Sequence, residues 1–202
     1  MVHRFFSCTI TAPPPAENAD ITLVSGPPCC GKTSLLFQFA INRATESGRG
    51  VVFICRKGRL ENRPPFLSQG VDPTHGVLNR IHIKYIEDDE GVRKYFAAFH
   101  LLGSFPAAVI IDDFAEFFSE SAKLGSPGSC TLLLSDVHQG DTPRSLFIYK
   151  RWIGSIYTIQ GDGLGSYILK KISSSECGLR EGRSAKYSIA LQYLVLEHIS
   201  NG

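Results

Sequence analysis

The apolar positions of this chain fall into short runs separated by stretches with helical spacing. Ile21–Val24, Val51–Cys55, Ala107–Ile111 and Cys130–Leu134 are largely apolar runs of four or five residues, as expected for strands covered on both faces. After the first of them, Leu35, Leu36, Phe39 and Ala40 recur at the spacing of one helix face, and Gly48 and Gly50 follow where a helix C-cap is expected. Ile81, Ile83 and Tyr85 alternate with polar residues, the mark of a strand near a sheet edge. Asp88, Asp89 and Glu90 then open a helix that carries Val92, Tyr95, Phe96, Phe99 and Leu102 on one face. Later the pattern predicts a helix over Ser145–Ile153, a strand over Ser155–Gln160, a turn at Gly161–Gly165 and a returning strand over Tyr167–Ile172. A polar loop, Ser174–Lys186, precedes a final apolar strand or two within Tyr187–Leu196. Strands alternating with helices, followed by consecutive strands, predict an α/β fold: a mainly parallel sheet flanked by helices, with antiparallel C-terminal strands.

Two stretches interrupt this pattern. Arg56–Asn79 contains Pro64, Pro65, Gly70, Pro73 and Gly76 and reads as a long irregular surface excursion. Residues 1 to about 19, broken by Pro13–Pro15, read as a loose lead-in, which leaves residues 20–202 as one domain. Hydrophobic residues make up 43% and charged residues 20%, ordinary for a globular chain, and a net charge of +2 requires any nucleic-acid surface to be local. The six cysteines, Cys8, Cys29, Cys30, Cys55, Cys130 and Cys177, form no C-x-x-C pair and no zinc spacing, and read as reduced thiols of an intracellular protein. No stretch is long enough to span a membrane.

The chemistry concentrates where the first strand ends. Gly26-Pro27-Pro28-Cys29-Cys30-Gly31-Lys32-Thr33 is a full match to the phosphate-binding pattern G-x-x-x-x-G-K-[ST], and it stands between a strand and a helix as that pattern requires. Gly26 and Gly31 free the backbone to turn and close around a phosphate. The N–H groups from about Cys29 through Ser34 lie at the positive end of the following helix. In this pattern Lys32 reaches the outer phosphates of ATP, and the Thr33 hydroxyl binds Mg²⁺. A thiol at such a helix start, Cys30, is expected to have a lowered pKa. The run Ala107–Ile111 ends in Asp112-Asp113, an acid placed to meet that Mg²⁺, with Asp112 the metal candidate and Asp113 holding a water or closing the turn. Lys32 and Asp112 are thus the expected catalytic residues.

The order of these parts resembles the core of the RecA-type recombinases and their paralogues. The resemblance narrows to the ATPase-like partners of SWIM zinc-finger proteins in Shu-type recombination complexes. It rests on GKTSLLFQFA, VVFICRKGRLENRPP, NRIHIKYI, AAVIIDDFAEFF and YKRWIGSIYTI, and covers roughly residues 21–170. It implies a RecA-like P-loop ATPase fold, ATP and Mg²⁺ as cofactors, single-stranded DNA and a SWIM-type protein with other recombinase paralogues as partners, and a nuclear role in homologous-recombination repair.

One departure bears on turnover. RecA-type enzymes carry a water-activating glutamate just after the second core strand, whereas here Arg56-Lys57 follows it, Lys57 taking that place, and Glu61 lies a turn further on. Hydrolysis is therefore expected to be weak or to borrow Asp113 or a partner's residue. A nucleotide or small-molecule kinase with Arg180, Arg183 and Lys186 as a lid is an alternative, as is a nucleotide-stabilised adaptor without turnover. For DNA, the loops Glu116–Ser129 and Val137–Pro143 offer only Lys123 and His138, with Arg144 at the border. The better candidate is Lys150-Arg151 beside Tyr149 and Trp152, unless Trp152 and Phe147 pack inward.

Overall fold

A computed structural model describes residues 2–6, 21–117, 130–140, 143, 146–163, 165–172 and 183–200. The apolar runs do become strands: β1 (Ile21–Gly26), β2 (Val51–Cys55), β3 (Ile81–Tyr85), β4 (Ala108–Ile111) and β5 (Thr131–Val137). They are followed by β6 (Ser155–Gly161), β7 (Ser166–Ile172), β8 (Ser184–Ala190) and β9 (Tyr193–Ser200). All nine join one sheet in the order β3-β2-β4-β5-β1-β6-β7-β8-β9. Every pairing from β3 to β6 is parallel, and those among β6, β7, β8 and β9 are antiparallel. The fold is mixed α/β, with a mostly parallel sheet and an antiparallel C-terminal extension.

Alternation along the central strands feeds a core on each face. Val24, Phe53, Ile110 and Leu133 pack with Leu35, Leu36, Phe39 and Ala40 of α1 (Lys32–Ser47). Leu23, Ile54, Val109, Ile111 and Leu132 point the other way, against Val92 of α3 (Asp89–Ala97) and Phe99 in the 3₁₀ turn beyond it. The expected apolar face of α3 is only half realised: Tyr95 and Phe96 are partly buried, and Leu102 is exposed. β3 closes the parallel edge with Ile83 and Tyr85 in solvent. No described helix is long and apolar enough to cross a membrane.

Three expectations need correction. Residues 2–6 are not loose: Val2–Phe5 forms a 3₁₀ turn that seats Phe5 and Phe6 in the core at 0% and 1% exposure. Phe5 meets the Phe39 and Tyr157 rings, Phe6 meets Tyr187, and Asn42 of α1 donates to the carbonyls of Arg4 and Phe6 at 2.9 and 2.8 Å. Residues 7–20 lie outside the described residues. The stretch 56–79 is not wholly irregular, since it holds α2 (Lys57–Asn62) and most of a 3₁₀ turn at Gly76–Arg80. The loop expected to run to residue 186 gives way to β8 at Ser184, because Ala185 and Tyr187 alternate inward with Ser184 and Lys186 outward.

Candidate functional site

The glycine loop joins β1 to α1 and passes through two left-handed positions, Cys29 (φ 59°) and Gly31 (φ 82°). The first costs a non-glycine residue some strain; the second is taken by the residue type that adopts it freely. Both glycines also sit close to side chains, Gly26 against the less yielding Cβ of Ile159. A Cβ on Gly31 would stand 2.8 Å from Ile189 Cδ1, and one on Gly26 would stand 2.8 Å from Ile159 Cβ and 2.9 Å from Cys30 Sγ. Gly31 is the N-cap of α1 and provides no side-chain cap, and the Lys32 N–H at the helix start meets the Cys30 thiol.

Lys32 is only 4% exposed, and its Nζ donates to the carbonyls of Gly26 (3.0 Å) and Pro27 (2.8 Å). The side chain is thus folded onto its own loop rather than extended toward a ligand. Burial, the larger cause, lowers its pKa against the opposing pull of Cys30 and Asp112. Ser34 is turned away from the loop mouth as well, accepting from the Phe66 N–H at 2.9 Å. Pro28 and Cys29 are exposed, whereas Cys30 is wholly buried. Desolvation raises the Cys30 pKa, so the expected activation by the helix dipole is overruled.

Thr33 and Asp112 come together across the sheet. β5 separates β1 from β4, yet the Thr33 hydroxyl donates to Asp112 Oδ2 at 2.7 Å. Ser135 at the end of β5 completes the set, donating to Asp112 Oδ1 at 2.6 Å and accepting from the Asp113 N–H at 2.8 Å. Asp113 sits at φ 52°, and both acids are almost wholly buried. Thr33 and Asp112 are oxygen donors of the kind Mg²⁺ accepts, and Mg²⁺ needs only one or two protein ligands beside phosphate oxygens. The residues present therefore fit a Mg²⁺-nucleotide: Thr33 and Asp112 would hold the cation, and the loop amides and Lys32 would meet the phosphates. The same scarcity of ligands explains why no group of three His, Cys, Asp or Glu side chains poised for a metal occurs among the described residues.

The position after β2 differs from the expectation in identity though not in charge sign. The Lys57 N–H is tied to Glu87 Oε1 at 3.0 Å, and Arg56 turns to Glu116. Arg59 is the cation that enters the site, pairing with Asp113 Oδ2 and standing 3.7 Å from Asp112 Oδ2. One turn on, Arg63 donates to Cys29 Sγ at 3.6 Å. Glu61 is exposed. Sequence reading missed Arg59, Arg63 and Ser135 as site residues. The i, i+4 spacing of two arginines directly after a core strand was the available signal.

Lys150 and Arg151 lie on α4 (Leu146–Trp152), both exposed, with the Arg151 guanidinium 5.6 Å from the centre of the Trp152 ring. Phe147 is 86% and Trp152 57% exposed, so neither packs inward. Tyr149 does turn in, donating to Asp136 Oδ2 at 2.8 Å. His138 is buried against Ser25 Oγ at 2.7 Å and is no surface contact. Lys123, Arg144 and Arg180 lie outside the described residues; Arg183 is exposed, and Lys186 pairs with Asp162 and Glu197. Cys55 and Cys130 are buried free thiols, and Cys8 and Cys177 lie outside the described residues.

No protein-family model matches this chain, and no curated protein matches it.

Proposed function

We propose that this chain is a RecA-like P-loop protein that binds Mg²⁺-ATP on Gly26–Ser34 and turns it over weakly or only with a partner. The observation that carries the reading is the meeting of the Thr33 hydroxyl and the Asp112 carboxylate at 2.7 Å beside an uncapped helix start. Bound Mg²⁺ would neutralise phosphate charge and orient the outer phosphates. Around it, this chain's residues would bind and position: Gly31 lets the loop close, Lys32 supplies an ammonium, and Ser135 fixes the Asp112 carboxylate. Weak turnover follows from charge. The side chain that reaches the acid pair from the β2–α2 corner is Arg59, and a guanidinium does not take a proton from water.

The resemblance extends the proposal to homologous-recombination repair in the nucleus, with a SWIM-type zinc protein and single-stranded DNA as partners. Exposed cations and rings on α4 support the DNA contact, and the open β3 edge, with Ile83 and Tyr85 in solvent, leaves a surface for a partner. The kinase alternative draws less support, because Lys186 is engaged with two carboxylates on the antiparallel extension. Titration of the purified chain with ATP, with and without Mg²⁺, tests the site. Wild type is expected to bind ATP more tightly with Mg²⁺, and Thr33→Ala to lose that Mg²⁺ dependence. Equal affinity of both proteins under both conditions would refute it. Co-purification of a SWIM-type zinc protein tests the wider role.

A further inference from the structure

Two guanidiniums from the segment after β2, Arg59 on α2 and Arg63 at its C-cap, meet the acid pair and the glycine loop. Arg59 and Arg63 are four residues apart, which places them on one side of the same chain segment, one turn apart. Leu60 is the one buried residue of α2 and joins the core on the α1 side of the sheet. Arg59 bridges to Asp113 and approaches Asp112, the adjacent acids that follow β4, and its side chain keeps 35% of its surface in solvent. Arg63 lies at the other side of the loop mouth and donates to the Cys29 thiol. A thiol is a poor acceptor for a guanidinium, so that contact holds Arg63 at the loop while leaving its remaining donors unspent. The Pro64-Pro65 pair follows, and the Phe66 N–H fastens the segment to Ser34 at the start of α1.

We propose that Arg59 and Arg63 form a guanidinium pair that recognises the terminal phosphate of a nucleoside triphosphate held by the loop. The inference rests on the nucleotide reading above and assigns its selectivity: the site distinguishes triphosphate from diphosphate. The inner phosphates would be met by the loop amides, which any nucleotide with two phosphates satisfies, while Lys32 would reach the outer ones. A third phosphate extends toward Thr33 and the acid pair, where Arg59 stands, and past Cys29, where Arg63 stands. Guanidiniums suit this task because their planar donors match phosphate oxygens two at a time. In the unbound chain Arg59 neutralises Asp113. A bound phosphate would compete for Arg59, and a cation held by Thr33 and Asp112 would offset the carboxylate charge that Arg59 gives up.

Equilibrium titration with ATP and with ADP, both in excess Mg²⁺, tests the pair. Wild type is expected to prefer ATP by about tenfold or more, the effect of one or two charge-assisted contacts present for ATP alone. Arg63→Gln, at an exposed position, is expected to lower that preference, and Arg59→Gln with Arg63→Gln to bring it close to unity. The loss is expected in the ATP affinity, with the ADP affinity held within about twofold. Because Arg59→Gln leaves a buried Asp113 carboxylate without its cation, Arg59→Gln with Asp113→Asn is the companion variant, with Arg59→Lys as the conservative one. Arg59→Lys is expected to retain part of the preference. An ATP preference that persists in the double Gln variant, or equal losses of ATP and ADP affinity, would overturn the assignment while leaving the nucleotide site standing. A folded wild type that binds ATP without preference over ADP would also overturn it. A folded wild type that binds neither overturns the nucleotide reading beneath it.

Discussion

Lys32→Met separates the structural and ligand-binding roles of the most buried cation in the loop. In the unbound chain the ammonium has two carbonyl acceptors, at 3.0 and 2.8 Å, and almost no water. Hydrogen bonds of a charged donor are worth about 1.5–3 kcal/mol each, and burying the ammonium costs several kcal/mol, so the two nearly offset. The lowered pKa gives the sign of the remainder. The fold holds the charged form less well than water does, so the penalty is present at neutral pH and is relieved as pH rises from the folded value toward 10.5. Methionine matches the aliphatic length without charge, and the variant without nucleotide is expected within about 1 kcal/mol of wild type.

Nucleotide affinity is expected to change far more. To reach a phosphate, Nζ must leave the Gly26 and Pro27 carbonyls and make charge-assisted bonds instead. Losing two such bonds, about 3 kcal/mol net, corresponds to roughly a hundredfold weaker binding of Mg²⁺-ATP. Urea midpoints give the first quantity and calorimetric titration the second. A stability loss above about 2 kcal/mol would show Lys32 to be a structural tie, and an affinity within about threefold of wild type would show that it never meets phosphate.

Phe5→Ala, which empties a fully buried site between Phe39 and Tyr157, is expected to cost about 3–5 kcal/mol in denaturant unfolding, and a loss under about 1 kcal/mol would free residues 2–6 from the core. Burial pushes the Cys55 thiol up to about 12 and that of Cys130 to about 11 from 9.0. Their stabilising effect is whole below pH 9 and is lost as pH rises toward those values, since the unfolded thiols ionise first. Stability measured from pH 8 to 10.5 should fall by up to about 1.4 kcal/mol per unit for each thiol, and Cys130→Ala should flatten the fall. Lys150→Ala with Arg151→Ala should weaken single-stranded DNA binding and lower the salt slope by about 1.4, two contacts at about 0.7 each. An unchanged slope would place the DNA contact off α4.

The sheet was legible because its central strands are buried on both faces, which leaves unbroken apolar runs such as Val51–Cys55 and Ala107–Ile111. The meeting of Thr33 and Asp112 was legible in the same way, as a motif followed by an acid at a strand end. The N-terminal anchor was not: two adjacent phenylalanines in a six-residue segment carry no periodicity, and their burial depends on Asn42 and Tyr157 far along the chain. Nor was α2, whose single buried Leu60 gives no repeating face and whose end is masked by Pro64-Pro65. The Cys30 expectation weighed the dipole of α1 without the burial that Tyr187 and Ile159 impose, and burial decides the direction. Chain positions after β2 count residues but do not say which of Arg56, Lys57 and Arg59 turns inward.

The antiparallel extension gives the glycine loop a second set of neighbours that bears on how binding would be read out. Tyr187 OH donates to the Cys30 carbonyl at 2.7 Å, Tyr167 OH reaches the Cys29 carbonyl at 3.4 Å, and Ile189 closes on Gly31. On the opposite side the segment after α2 is tied to Ser34, and its Leu67 carbonyl accepts from Leu194 N–H at 3.0 Å, joining the two flanks beyond the loop. A loop held by carbonyl bonds from stacked tyrosines cannot shift without disturbing β7 and β8. Lys32, by contrast, must release two carbonyls of that same loop to meet phosphate, and Arg59 must yield Asp113. On the proposed reading, nucleotide occupancy is registered by charge rearrangement at Lys32, Arg59 and Asp113, on the β2–α2 and β4 side of the site.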